Sequence, residues 1–207
     1  MVGRVVPIFA GEESGATMLE MTLVISVLLI TVLGFVDFGN ALYQWNQASK
    51  AVQVGARLAA VSAPVAAGLK TAVDALNADV TPGEASEFFS VDCDGATSEC
   101  SSDELADLTF DDDDLDRILN GGSGDRRVPG MRDIFPRIEP ENVVISYTYS
   151  GLGYAFRPGG PIPTISVRLQ SLNFDFFFLG GLLGFGQLQI PAMTGTITGE
   201  DLCHTAC

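Results

Sequence analysis

Histidine occurs once in this chain of 207 residues, at position 204. A Ser-His-Asp arrangement would have only His204 to use, and one histidine is too little for a typical zinc site. Neither a Gly-x-Ser-x-Gly elbow, nor a phosphate loop, nor a Gly-x-Gly-x-x-Gly fingerprint occurs, so no enzyme activity is expected. Basic residues are scarce: 11 Lys and Arg stand against 26 Asp and Glu, a formal charge of −15. That balance repels polyanions and argues against nucleic acid as a partner, and against anionic lipid for any soluble part. Proline is missing between Ala16 and Ala63, and charge is missing between Glu20 and Asp37. Nothing in that long stretch therefore forces a helix to stop before Pro64.

What fills the stretch is apolar. Met21 to Val36 is rich in Leu, Val and Ile, and an amphipathic tail follows from Asn40 to Ser62. A continuous helix from Ser14 to Ser62 would be roughly 70 Å long. Counted from Ala16 to Phe38, with Glu20 as its one internal charge, the run is long enough to span a bilayer. A cleavable secretory signal would have a basic start and a small-x-small site after its apolar core. Here Arg4 faces Glu12 and Glu13, and no such site follows, so the run is expected to be retained. A buried core helix is the alternative.

Glu20 sharpens the reading. A carboxylate a few residues inside a membrane helix needs a partner or a route to the headgroups. It either marks the helix entrance, near the positive end of the helix dipole, or it pairs with a positive charge created by proteolysis. A cut after Gly15 would give Ala16 a free amine and make Glu20 the fifth residue.

The run Gly15-Ala16-Thr17-Met18-Leu19-Glu20 resembles the cleavage motif of type IV pilins and pseudopilins. With Met21, then Gly34 to Leu42 (around Asp37-Phe38-Gly39), then Gly55 to Val61, it is similar to TadE-like proteins. These are minor pseudopilins of the tight-adherence (Flp, type IVb) pilus system. Arg132 to Pro140, Ser150 to Tyr154 and Gly195 to Leu202 also resemble bacterial members, while the acidic middle is unmatched. Two positions depart from the pattern: Glu12-Glu13 stand where leaders are usually basic, and Met21 follows Glu20 where the Flp motif has an aromatic.

The resemblance implies a leader at 1–15, a transmembrane helix at 16–38, its amphipathic continuation at 39–62 and a periplasmic α+β domain at 63–207. Gly15, Ala16 and Glu20 would form the processing site. The implied partners are a prepilin peptidase, other pilins and pseudopilins, the Tad assembly machinery and the membrane, with no cofactor. The implied location is the bacterial inner membrane, crossed once. Residues 1–15 as an uncleaved cytoplasmic tail are the alternative.

After the span, Leu42, Trp45, Ala48, Val52, Ala56 and Ala59 recur at helical spacing. This stripe packs on the chain's own domain, or, as an assembly interface with Glu20, Leu42, Trp45 and Val52, on neighbouring pilin helices. A small-residue helix is expected over 66–78. From Asp74 to Asp116 there are fifteen Asp or Glu residues and no Lys or Arg. The EF-hand pattern fails there, because Arg117 and Ser123 occupy its sixth and twelfth positions when counted from Asp112. An acidic loop over about 80–116, with carboxylates capping a short helix around Leu115 to Leu119, is expected instead of a metal site. Arg126, Arg127 and Arg132 make a basic island expected to face it.

Four cysteines allow three pairings. Cys93 with Cys100 and Cys203 with Cys207 are expected, as local loops in an oxidising compartment, with long-range pairing as the alternative. Strands are expected at 142–149, 164–169 (with 173–178 as a candidate extension) and 192–198, with Ser150 to Gly153 a turn. Phe174, Phe176, Phe177, Phe178, Leu179, Leu182, Leu183 and Phe185 form a Gly-broken apolar cluster, too short for a second span. It reads as a loop that covers the core or touches the membrane surface, or as a partner-docking patch.

The expected architecture is a pilin-like α+β fold: a long N-terminal transmembrane and amphipathic helix packed on a small antiparallel sheet. The expected function is a minor pseudopilin needed for Tad/Flp pilus assembly, processed after Gly15. The rival is an unprocessed, signal-anchored periplasmic binding or scaffold domain; for a tethered metal-dependent hydrolase the ligand set is missing.

Overall fold

A computed structural model describes residues 13–122, 128–157, 160–174, 176–178, 180, 181, 184, 188, 189 and 191–199. The chain divides into two compact units, Met1–Leu42 with Asp175–Gln187, and Tyr43–Phe174 with Leu188–Cys207. Helix α1, Glu13–Val61, runs without a break through the proline-free stretch and contributes to both. It ends three residues before Pro64, where a ring would clash with the preceding turn.

In the second unit, β1 (Ala66–Ala67) and α2 (Leu69–Leu76) follow, then β2 (Ser90–Asp94), β3 (Glu99–Ser101), β4 (Thr109–Phe110) and α3 (Asp112–Asn120). After α4 (Met131–Ile134) and a 3-10 turn at Pro140–Asn142 come β5 (Val143–Gly153), β6 (Pro161–Leu169), β7 (Asn173–Phe174), β8 (Leu188–Gln189) and β9 (Met193–Thr198). Five strands make one antiparallel sheet in the order β3-β2-β5-β6-β9; β1 pairs with β4 and β7 with β8. The fold is the α+β arrangement expected, a long N-terminal helix with antiparallel sheets.

Period-two alternation sets the register. Val91, Tyr147, Ile165 and Ile197 stand in one cross-strand row, and Cys93, Ile145, Val167 and Gly195 in the next. These rows form the buried face; Val91, Tyr147, Ile165 and Val167 are wholly inaccessible. The other face carries hydroxyls. Ser90 meets Thr148 at 3.2 Å, Ser166 meets Thr196 at 3.3 Å, and the Ser146 hydroxyl donates to Asp92. One apolar and one polar face is the arrangement of an antiparallel sheet covered on one side.

What covers it is the C-terminal half of α1. Ala48, Ala51, Val52, Ala56 and Ala59 are buried, and their small side chains let the helix approach closely. At Gly195 a methyl group would lie 2.8 Å from Val52 Cγ1. The chain leaving α1 is fixed to the sheet through Tyr147, whose hydroxyl oxygen accepts from the Val65 N–H at 3.0 Å. Burial pushes the Tyr147 hydroxyl pKa above the usual tyrosine range, opposed by its hydrogen bond to Val65 and reinforced by the Asp114 charge.

Several boundaries differ from those the sequence suggests. The acidic stretch is not a loop throughout: it supplies β2, β3 and β4, with Asp92 and Glu99 on exposed strand positions and Asp94 half-buried. Ser150 to Gly153 is strand, not turn. The extra residues Ser150 and Gly151 are taken up by a bulge between Tyr149, opposite Pro163, and Leu152, opposite Ile162. Gly151 provides the left-handed φ of 80° that the bulge requires. Ala66 begins a two-residue strand instead of a helix, and Asn173 pairs with Gln189 instead of extending β6. Around Leu115 to Leu119 the expected capped helix is present: Asp111 Oδ1 accepts from the N–H groups of Asp113 and Asp114 at 3.0 and 3.1 Å.

Candidate functional site

The candidate site is the N-terminal part of α1. From Ala16 to Val36 no residue is buried in the chain, although the run holds Leu23, Val24, Val27, Leu28 and Leu29. The helix is long and apolar enough to cross a membrane. Three of its hydroxyls are satisfied within it: Thr22 donates to the Met18 carbonyl, Ser26 to Thr22 and Thr31 to Val27, each at 2.8 Å. No water is needed for them, the condition a helix in hydrocarbon must meet.

Gly15, Ala16 and Glu20 lie exposed near the start of α1. Ala16 and Glu20 are four residues apart and so share a face. The four residues expected at a helix interface divide. Glu20, Leu42 and Trp45 are outward, with Leu42 half exposed and Trp45 over a third exposed. Val52 is 1% exposed and lies against Gly195. Its methyls pack on the chain's own sheet, the first of the two alternatives for the stripe. Leu42 and Trp45 stand toward the N-terminal end of the stripe, where that cover ends.

Cys93 and Cys100, opposite one another on β2 and β3, are joined in a disulfide. Cys203, Cys207 and His204 lie outside the described residues, as do Arg126 and Arg127. Arg132 does not turn toward the acidic stretch; its guanidinium donates to the Ile138 carbonyl at 2.7 Å and pairs with Glu139. Among the described residues no group of three His, Cys, Asp or Glu is placed to hold a metal. The Asp111–Asp114 run is occupied with helix capping and with an ion pair from Asp114 to Arg117 at 3.3 Å. The Asp114 pKa is raised by partial burial and by the nearby Asp111 charge, against the lowering effect of Arg117.

One residue was missed by reading the sequence. There Asp37 marks the end of the apolar run and belongs to the block that resembles TadE-like proteins, with no bonding partner expected for it. In the structure it is 2% exposed, and its carboxylate accepts from two backbone N–H groups, those of Phe177 (Oδ1, 3.0 Å) and Phe178 (Oδ2, 3.0 Å). The signal available was a lone carboxylate between Val36 and Phe38, the first charge after Glu20. A lone charge among apolar neighbours is seldom left unbonded.

The family comparison falls on this same helix. Residues 15–57 match the family model of TadE-like protein. Over that segment the chain resembles TadE-like proteins. The match begins at the residue proposed for processing, takes in Asp37 and stops within the buried stripe at Arg57. No curated protein and no solved structure matches the chain. The family likeness is confined to residues 15–57.

Proposed function

We propose that this protein is a minor pseudopilin that takes part in assembling a Tad/Flp pilus. The observation that carries the reading is the coincidence, in one helix that resembles TadE-like proteins, of the Gly15-to-Glu20 spacing with an apolar run in which no residue from Ala16 to Val36 is buried. A single pass through the bacterial inner membrane accounts for that bare surface, with the N-terminus cytoplasmic and the sheet unit periplasmic. The Cys93–Cys100 disulfide suits an oxidising compartment. The role is structural, with no catalytic step.

In this reading a prepilin peptidase cuts between Gly15 and Ala16. The new amine of Ala16 pairs with Glu20 of a neighbouring pilin or pseudopilin, and Leu42 and Trp45 add apolar contact further along. In a low-dielectric setting each charge is costly alone, so their pairing favours one helix register.

The test is the intact mass and N-terminal sequence of the full chain co-expressed with its prepilin peptidase, with Gly15→Ala as control. A product beginning at Ala16, absent from the control, is expected. A chain still beginning near Met1 under active peptidase would overturn processing and leave an unprocessed, signal-anchored scaffold.

A further inference from the structure

Asp37 does more than end the apolar run. It lies seventeen positions after Glu20, about 26 Å along a helix and close to the roughly 30 Å of a bilayer's hydrocarbon core. With Glu20 at one boundary, Asp37 falls at the other. A bare carboxylate there would be expensive, as would backbone N–H groups without partners. The bonds from Phe177 and Phe178 to Asp37 satisfy both sets at once, and charge-assisted bonds of this kind are the strong ones.

The consequence lies in where the rings are left. Phe177 and Phe178 are fixed by their backbone to the end of the apolar run, yet their side chains are 68% and 43% exposed. On the helix itself Phe35 and Phe38 are 72% and 62% exposed. Aromatic rings held bare beside a span belong at the boundary of headgroups and acyl chains. The formal charge of −15 removes electrostatic attraction to an anionic surface, so apolar insertion must supply the binding.

We propose that the segment carrying Phe177 and Phe178 is a second, interfacial membrane anchor, held by Asp37 at the outer end of the span so that both rings enter the bilayer boundary beside Phe35 and Phe38. The occupant of this surface is the lipid bilayer that contains α1. The proposal rests on the reading of Ala16–Phe38 as a membrane span, and Asp37 is a positioning residue within it.

The test uses the full chain in phosphatidylcholine bilayers, with Trp45→Phe as background and a single tryptophan introduced by Phe178→Trp or, as a control for the span, by Leu28→Trp. Lipids brominated near the headgroup or near the chain ends then quench emission by depth. Phe178→Trp is expected to be quenched more by the shallow bromines, and Leu28→Trp more by the deep ones. Adding Asp37→Ala is expected to abolish quenching at the first position while leaving the second, and Asp37→Asn, which keeps one acceptor oxygen, to restore part of it. Quenching of Leu28→Trp without quenching of Phe178→Trp would overturn the anchor and leave the span standing. Absence of both would overturn the span and the anchor together. Quenching that survives Asp37→Ala would overturn the positioning role.

Discussion

Gly195 on β9 lies directly against Val52 on α1: a methyl group at position 195 would come within 2.8 Å of Val52 Cγ1 and 3.1 Å of its carbonyl oxygen. The helix backbone cannot yield as a flexible side chain would. Gly195→Val is expected to lower stability by about 1–3 kcal/mol through overpacking, read as a fall in melting temperature of the purified chain. An unchanged melting temperature would mean that α1 does not rest on β9 in solution.

This contact also marks how far the sequence could be read. The apolar run and the stripe of Ala48, Val52, Ala56 and Ala59 are periodic over many residues, and period alone reports which face is buried. Gly195 gives no such signal, because its meaning depends on a helix more than a hundred residues away. The same holds for Ser150 to Gly153, where turn-forming residues sit inside a strand because the partner strand absorbs them in a bulge. Asp92 and Asp94 read as acidic loop, yet pairing with β5 places them on a polar sheet face. Asp37 was readable as a carboxylate at the end of a run, but its partners are backbone N–H groups, and those leave no trace in side-chain chemistry.

Tyr147 and Tyr149 stand two apart on β5 and are expected to respond in opposite ways to loss of the hydroxyl. Tyr149 stacks on Phe89 with ring centroids 5.9 Å apart, and its buried hydroxyl oxygen has no hydrogen-bond partner among the described residues. Tyr149→Phe is expected to be neutral or to stabilise by up to about 1 kcal/mol. Tyr147→Phe strands the Val65 N–H and is expected to cost about 1–3 kcal/mol. Chemical denaturation of the two variants decides; equal destabilisation would refute the contrast.

Tyr147 also sets a limit at alkaline pH. Its pKa is raised in the folded chain, so the unfolded chain loses this proton first as pH rises. Its contribution to stability is fully present below the unfolded value of about 10 and declines above it, by about 1.4 kcal/mol per pH unit until the folded pKa is reached. Stability measured against pH for the native chain and for Tyr147→Phe should show the native curve falling more steeply above pH of about 10. Parallel curves would mean that the hydroxyl ionises equally in both states.

The disulfide between Cys93 and Cys100 closes a short loop across β2 and β3, seven residues apart in sequence. Loop-closure entropy predicts a loss of about 2–3 kcal/mol when it is removed. The double variant Cys93→Ala with Cys100→Ala should show a correspondingly lower denaturant midpoint, and reductant should then have no further effect through this pair. Since Cys93 is 1% exposed, its replacement also removes a buried side chain, whereas reduction of the native chain removes only the bond. Comparing the two separates the crosslink from the packing.

Glu20 is the residue on which the assembly reading turns. It sits outward, four residues from Ala16, near the start of an apolar run in which no residue from Ala16 to Val36 is buried. Glu20→Gln keeps the shape and removes the charge. If the free amine of a processed neighbour pairs with Glu20, the substitution leaves that amine without a partner in low dielectric, a penalty of about 3–5 kcal/mol. Processing after Gly15 should continue, since the scissile bond is untouched, while pilus output in cells carrying the variant should fall sharply. The two readouts, N-terminal sequence and surface pili, must separate for the pairing to hold. Normal pilus output from Glu20→Gln would refute the pairing, and it would leave the carboxylate as a marker of the helix entrance, held by the positive end of the helix dipole.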